Sequence, residues 1–205
     1  MLAGVNGAGK SSIGGAAFRS FGADYYNPDE AARAIRESHP GLSDTQTNSD
    51  AWHQGRQLLE RAIAERLDFA LETTLGGNTI VRLLEDAAAK GIAVHVWYAG
   101  LAGLELHIAR VRSRVRRGGH DIPVQDIRRR YEHSRLNLIH LLPRLAALRV
   151  YDNSPDADPA AGKTPMPALV LHMGRGKILG PADLSRTPEW AKPIVAAALK
   201  LTLRR

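Results

Sequence analysis

Short apolar runs alternate with longer segments of helical spacing along the chain. The apolar runs predict buried strands at residues 1–5, 23–26, 69–72, 92–98 and 148–152. The longer segments predict helices over residues 10–21, 28–38, 51–67, 78–90, 104–117, 124–142 and 188–203. This alternation is typical of a mostly parallel sheet covered by helices on both faces, so we expect an α/β fold.

Polar residues, proline and glycine mark the connections between these elements. Residues 43–50 and 154–167 predict loops, and residues 168–179 predict a hairpin that turns at Gly174-Arg175-Gly176. No internal repeat and no composition change divides the chain. We therefore expect a single domain over 1–205, with a helical lid region at 103–140 and a C-terminal hairpin and helix at 165–205.

Composition and charge narrow the chemistry. The 205 residues include no cysteine, which excludes disulfides, thiolate metal sites and cysteine nucleophiles. The sequence shows no apolar run long enough to span a membrane and no signal-peptide pattern, so we expect a cytoplasmic protein. The formal net charge is +7, and 22 of the 28 basic residues are arginine. Because arginine suits phosphate oxygens, we expect an anionic ligand, whether nucleic acid, nucleotide or sugar phosphate.

A phosphate-binding motif lies near the N-terminus, where Gly4-Val5-Asn6-Gly7-Ala8-Gly9-Lys10-Ser11 matches the pattern G-x-x-x-x-G-K-S/T. Glycines let successive N–H groups turn toward phosphate oxygens, and the following helix adds its positive end. We expect ATP to bind to Asn6, Gly7, Ala8, Gly9, Lys10, Ser11 and Ser12. In this arrangement Lys10 reaches the β- and γ-phosphates and the Ser11 hydroxyl holds Mg²⁺. A second Gly-Lys-Thr, at residues 162–164, lacks the leading glycine and is interpreted as a loop.

Two acidic residues lie at or after the ends of predicted strands, at the edge where parallel sheets place their sites: Glu72 ends the third strand and Asp29 follows the second. Asp29 could orient an acceptor hydroxyl and take its proton, or it could only favour the dipole of the helix that begins there. Glu72 could bind substrate or orient a magnesium-bound water, or it could be an acid on the surface. Thr73 follows Glu72 directly and is a further candidate for substrate binding.

Five arginines crowd one predicted helix before Gly118-Gly119, at positions 110, 112, 114, 116 and 117. Their helical spacing prevents all five from facing one ligand. A lid hinged at the two glycines would bring some of them to the transferred phosphate and exclude water. The alternative is a basic surface helix, and we expect two or three of the five to be functional.

An ordered set of segments resembles the zeta toxin family of P-loop kinases in its short bacterial form. The segments are residues 2–12, Tyr26–Ala32 with His39-Pro40, Leu71–Leu75, 109–137 and Tyr151–Ser154. The resemblance implies a P-loop NTPase fold of the kinase type, with a central mostly parallel sheet, an arginine-rich helical lid, and a small C-terminal hairpin plus helix. It also implies ATP and Mg²⁺ as cofactors and an antitoxin protein as a partner.

Members of this family of the toxin type transfer the ATP γ-phosphate to a hydroxyl of UDP-N-acetylglucosamine. The resemblance implies that Asp29 is the catalytic acid and that Glu72 binds substrate. It also implies that Arg112 reaches the phosphates, that Arg116 or Arg117 (Arg117 being our candidate) replaces the next lid arginine, and that Asn153 lies where adenine contacts are expected. Residues 43–52 show no clear match to the well-studied toxins.

Two other functions remain open at this stage. The positive charge allows a kinase that acts on a nucleic-acid end, although the 5% aromatic content offers few stacking partners for bases. A non-catalytic ATP-binding switch is the other, and a complete motif together with Asp29 counts against it.

Overall fold

The structure is a computed structural model that describes residues 1–10, 13–14, 24–155 and 167–203. Within these residues, seven strands form one sheet in the order β2-β3-β1-β4-β5-β6-β7. The strands are β1 (Leu2–Ala3), β2 (Asp24–Tyr26), β3 (Phe69–Thr73), β4 (His95–Gly100), β5 (Ala147–Asp152), β6 (Ala168–Gly174) and β7 (Lys177–Gly180). Strands β1 to β5 pair in parallel, and β6 and β7 pair antiparallel. The predicted α/β fold with a mostly parallel sheet is therefore confirmed.

Helices flank the sheet and bury their apolar sides against it. They are α1 (Pro28–Ser38), α2 (Asp44–Glu65), α3 (Asn78–Ala89), α4 (Leu104–Arg116), α5 (Val124–Leu141) and α6 (Lys192–Leu203). Short 3-10 turns at Leu142–Arg144 and Glu189–Ala191 follow α5 and precede α6. Apart from Lys10, Ile13 and Gly14, the helix predicted over residues 10–21 lies outside the described residues, as do residues 162–164. Within the described part of the chain, every helix is too short or too polar to cross a bilayer.

The loop predicted over residues 43–50 is wrong, because α2 already begins at Asp44. Ser43 forms a capping box in which its hydroxyl accepts from the Gln46 backbone N–H, while the Gln46 side chain accepts from the Ser43 N–H. The first two turns of α2 are mostly solvent-exposed, so their polarity hid a helix that the spacing of Ser43 and Gln46 could have indicated.

The sheet register gathers the ends of three neighbouring strands at one edge. In β1, Leu2 pairs with Glu72 of β3 and Trp97 of β4, and the chain leaves β1 at Gly4. The Gly4 N–H then donates to the Thr73 carbonyl at 3.2 Å. The phosphate-binding motif therefore begins beside the carboxyl ends of β3 and β4, where open α/β sheets bind ligands.

Candidate active site

The phosphate-binding motif forms a tight loop that only glycine permits at key positions. Gly4 and Gly9 have φ angles of +144° and +76°. A Cβ atom on Gly4 would collide with the Ala99 carbonyl oxygen, and one on Gly9 would collide with the Asn153 side-chain amide. The loop thus lies directly on its support, with a backbone conformation suited to turning N–H groups toward an anion. Ser11 and Ser12, predicted to bind Mg²⁺ and ATP, lie outside the described residues.

Three side chains from other elements hold the loop in place. Asn153, after β5, donates from its amide to the Ala8 carbonyl at 2.9 Å. His107 of α4 donates from Nδ1 to the Asn6 carbonyl at 2.8 Å, and Arg130 of α5 donates to Asn6 Oδ1 at 2.9 Å. Burial lowers the pKa of His107 to about 4, so at neutral pH the ring is uncharged. Side chains from three other elements therefore support residues 6 and 8 of the loop.

Lys10 forms a buried ion pair with Glu72. The distance from Lys10 Nζ to Glu72 Oε1 is 3.6 Å, and the two side chains are only 9% and 8% exposed. On the other carboxylate oxygen, Glu72 accepts from the Tyr25 hydroxyl at 2.7 Å and from the Asn27 amide at 3.4 Å. The interpretation of Glu72 as a surface acid is therefore wrong.

Asp29 stands in the first turn of α1, which Asn27 caps by accepting from the Asp29 N–H at 2.9 Å. Its carboxylate is exposed and lies 3.5 Å from Arg114 Nη1 of α4. The same side chain lines the cavity beside the phosphate-binding loop. Asp29 is thus placed both to favour the helix dipole and to meet a ligand, and its catalytic role stays a prediction.

A cavity of about 580 Å³ joins these groups. One side is formed by Asn6 and Lys10 of the loop, with Asp29, Glu72 and Thr73 beside them. The start of α2 also lines the cavity, with Asp44, Thr45, Asn48, Ser49 and Trp52. This volume is in the range of small-molecule sites. The segment 43–52, which shows no clear match to the well-studied toxins, therefore forms a wall of the cavity.

Thr73 contributes to the cavity from the end of β3. Its hydroxyl accepts from the Leu75 N–H at 3.0 Å, which supports the positive φ of +54° at Leu75. Thr73 is half-buried and lines the cavity directly after Glu72. Its predicted part in binding substrate is compatible with this position and stays a prediction.

The arginines of α4 divide by direction. Arg112 and Arg117 are exposed, and neither lines the cavity formed by the described residues. Arg114 bonds to the His120 carbonyl at 3.1 Å as well as approaching Asp29, and Arg110 bonds to the Ser154 carbonyl at 3.3 Å. Of the predicted pair, the structure therefore brings neither to the cavity, and their roles remain predictions.

Sequence reasoning missed Arg130, which lines the cavity and contacts the phosphate-binding loop. It stands in a run of three arginines, so composition did not indicate which one faces inward. The buried positions of α5 carry the missing signal, because Arg130 is three residues after Ile127 and four before Ser134, on the same helical face.

Comparisons with known proteins agree with this architecture. A sequence model of the Zeta toxin family matches residues 1–157. A Haemophilus influenzae protein described as uncharacterized is 34% identical over 132 residues, which cover 62% of this chain and 88% of that protein.

Two solved structures share the fold at low sequence identity. AvrRxo1-ORF1:-ORF2 with ATP aligns with a TM-score of 0.64 and 16% identity, over 96% of this chain and 62% of that chain. The PezAT chromosomal toxin-antitoxin system of Streptococcus pneumoniae aligns with a TM-score of 0.53 and 14% identity, over 100% of this chain and 86% of that chain. The chain thus spans less than two thirds of the AvrRxo1 chain. The family match covers most of the present sequence, and the chain belongs to the Zeta toxin family.

Proposed function

We propose that the chain is an ATP-dependent phosphotransferase that moves the ATP γ-phosphate to a hydroxyl of a small molecule bound in the 580 Å³ cavity. One observation carries the proposal. The P-loop lysine Lys10 and two carboxylates, Asp29 and Glu72, line the same cavity. A site that holds a triphosphate on one side and leaves space beside two acids suits transfer to a bound acceptor.

In the part of the site that would bind ATP, the residues of the chain suit the nucleotide. The glycine loop is preformed, and Lys10 is a buried cation at its end. Bound ATP with Mg²⁺ would supply the transferable phosphoryl group and a neutralising cation. Ser11 is the proposed magnesium ligand, and Arg112 and Arg117 are proposed to approach only if the lid closes. The crystallisation of AvrRxo1-ORF1:-ORF2 with ATP supports a nucleotide in this fold.

On the acceptor side, Asp29 would take the proton of the attacking hydroxyl. The hydroxyl oxygen then bonds to the γ-phosphorus while the bond from that phosphorus to the β–γ bridging oxygen breaks and ADP leaves. Glu72 and Thr73 would bind other polar groups of the acceptor. Glu72 can do so while paired with Lys10 and Tyr25, because a carboxylate has about four acceptor positions.

The acceptor we favour is a nucleotide sugar such as UDP-N-acetylglucosamine, as the family resemblance implies. Trp52 lines the cavity with 41% of its surface exposed, and the Arg56 guanidinium lies 5.9 Å from its ring centroid. An exposed aromatic ring beside a cation suits a planar base next to a diphosphate. The toxin-antitoxin nature of PezAT also supports an antitoxin protein as a partner of this chain.

The test is incubation of the protein with labelled ATP, magnesium and a panel of nucleotide sugars and other metabolites, with products identified by mass. We expect one acceptor class to gain the mass of one phosphoryl group while ADP forms in equal amount. ATP that stays intact with every acceptor would contradict catalysis and favour a binding switch. Transfer to oligonucleotide ends alone would contradict the small-molecule acceptor.

A further inference from the structure

Arg130 reaches from α5 to the mouth of the phosphate-binding loop. Its Nη1 donates to Asn6 Oδ1 at 2.9 Å, and its side chain is half-buried in the cavity wall. The stem passes over Gly76, where an added Cβ would lie 2.7 Å from Arg130 Cγ. The Arg130 side chain is therefore held at two points, by Asn6 at its guanidinium and by Gly76 along its aliphatic stem.

Arg130 interacts electrostatically with acidic residues that line the same cavity. Burial lowers its pKa, and the carboxylates of Asp126 and Asp29 oppose that shift. The group stays charged at neutral pH, as a guanidinium does in proteins. Arg130 thus contacts the phosphate-binding loop through Asn6 and also interacts electrostatically with Asp29.

Within the described residues, the bond to Asn6 leaves most of the guanidinium available. An arginine has five N–H donors in a planar fork, and Asn6 Oδ1 takes one of them. Such a fork matches the oxygens of a phosphoryl group better than a lysine does. By contrast, Arg112 of α4 and Arg117 at its C-cap are exposed and do not line the cavity formed by the described residues.

We propose that Arg130 is a catalytic residue for the phosphotransfer, and this rests on the proposed function of the cavity. Its guanidinium contacts the γ-phosphoryl group and stabilises the charge that develops during transfer. A cation already fixed in place needs no reorganisation as the reaction proceeds. The site therefore has a charge-stabilising arginine on α5, and the arginines of α4 do not need to move toward the cavity.

The test compares Arg130→Ala and Arg130→Lys with Arg128→Ala, a matched control on the exposed face of the same helix. With ATP, magnesium and the accepted substrate, we expect Arg130→Ala to lower kcat by about 10²–10³-fold, in the range for losing one preorganised charge-stabilising donor. The Kd for ATP should change less than about fivefold, Arg128→Ala should match the wild type, and added guanidinium should restore part of the kcat of Arg130→Ala.

A purely structural role, in which Arg130 only orders Asn6, gives a different pattern. Asn6→Ala would then lose as much kcat as Arg130→Ala, and guanidinium would restore nothing, and these results would overturn the proposal. If Arg130→Ala does not fold, Arg130→Lys decides, because it keeps the stem and charge but not the fork; a kcat within about threefold of Arg128→Ala would overturn the proposal. A wild type without turnover contradicts the proposed function and this inference together, whereas an active wild type with an equally active Arg130→Ala contradicts this inference alone.

Discussion

The ammonium of Lys10 lies 3.6 Å from the carboxylate of Glu72, and both side chains are less than a tenth exposed. The lysine that would bind phosphates therefore already has a counter-charge in the free protein. A triphosphate must share Lys10 with Glu72 or replace Glu72 as its partner. This relationship links the stability of the loop to the binding of its ligand.

Replacing Glu72 with Gln should lower the stability of the free protein and increase the stabilisation that bound ATP provides. The variant removes the negative charge beside Lys10 but keeps a side chain that can accept from Tyr25, so we expect the free protein to lose about 3 kcal/mol of unfolding free energy. Saturating ATP should then raise the melting temperature more than it does in the wild type, because phosphate supplies the missing charge. Thermal unfolding with and without ATP measures both effects. Glu37→Gln, on an exposed part of α1, is the control, and an equal ATP shift in all three proteins would contradict this coupling.

The local motif was predictable from sequence because its residues are contiguous. The loop over Gly4–Lys10 and the start of α1 at Pro28 carry their signals within a few positions. The burial of Glu72 was not predictable, since it depends on Lys10 and Tyr25 arriving from distant parts of the chain. The inward direction of Arg130 likewise depends on how α5 packs.

The start of α2, which lines the cavity, was missed in the sequence for another reason. The first turns of α2 are polar because they face solvent or the cavity, so hydrophobic spacing gave no helix there. Only the cap formed by Ser43 and Gln46 marks its beginning. The resemblance to known toxins was also weakest in this segment, which leaves the acceptor as the least predictable part of the site.

Gly9→Ala and Gly91→Ala form a matched pair, since both glycines have φ near +75°. Each substitution should lower the free energy of unfolding by about 1 kcal/mol through backbone strain. At Gly91 the new methyl meets nothing within 4 Å, whereas at Gly9 it displaces the Asn153 amide. We therefore expect Gly9→Ala to weaken ATP binding more than tenfold and Gly91→Ala to leave it unchanged, as measured by calorimetric titration and urea unfolding. Equal ATP affinities in the two variants would contradict the role given to the loop.

Asn153→Ala separates loop support from recognition of adenine. The buried Asn153 amide holds the Ala8 carbonyl, so its loss leaves that carbonyl without this donor, at a penalty of about 1–3 kcal/mol. We expect the affinities for ATP and GTP to fall by the same factor in equilibrium titrations. A loss confined to ATP would instead support the adenine contact that the family resemblance implies.

His107 should make stability depend on pH. Its pKa is about 4 in the folded protein and near 6.5 when unfolded, so the unfolded chain binds the proton more readily. The stabilising contribution is present above pH 6.5 and is lost as the pH falls toward 4, by up to about 3 kcal/mol. His107→Asn keeps a donor for the Asn6 carbonyl but does not titrate. Urea unfolding between pH 7 and 4.5 should show a smaller decline in this variant than in the wild type, and parallel declines would exclude His107 as the cause.

Asp29 is proposed to activate an acceptor held beside the phosphate-binding loop. The most direct measurement compares phosphate transfer and ATP affinity in the wild type, Asp29→Asn and the control Glu37→Gln. We predict that Asp29→Asn lowers kcat by about 10²–10⁴-fold, as expected for loss of a general base, while its Kd for ATP stays close to that of the wild type. Transfer by Asp29→Asn within threefold of the wild type would contradict the claim.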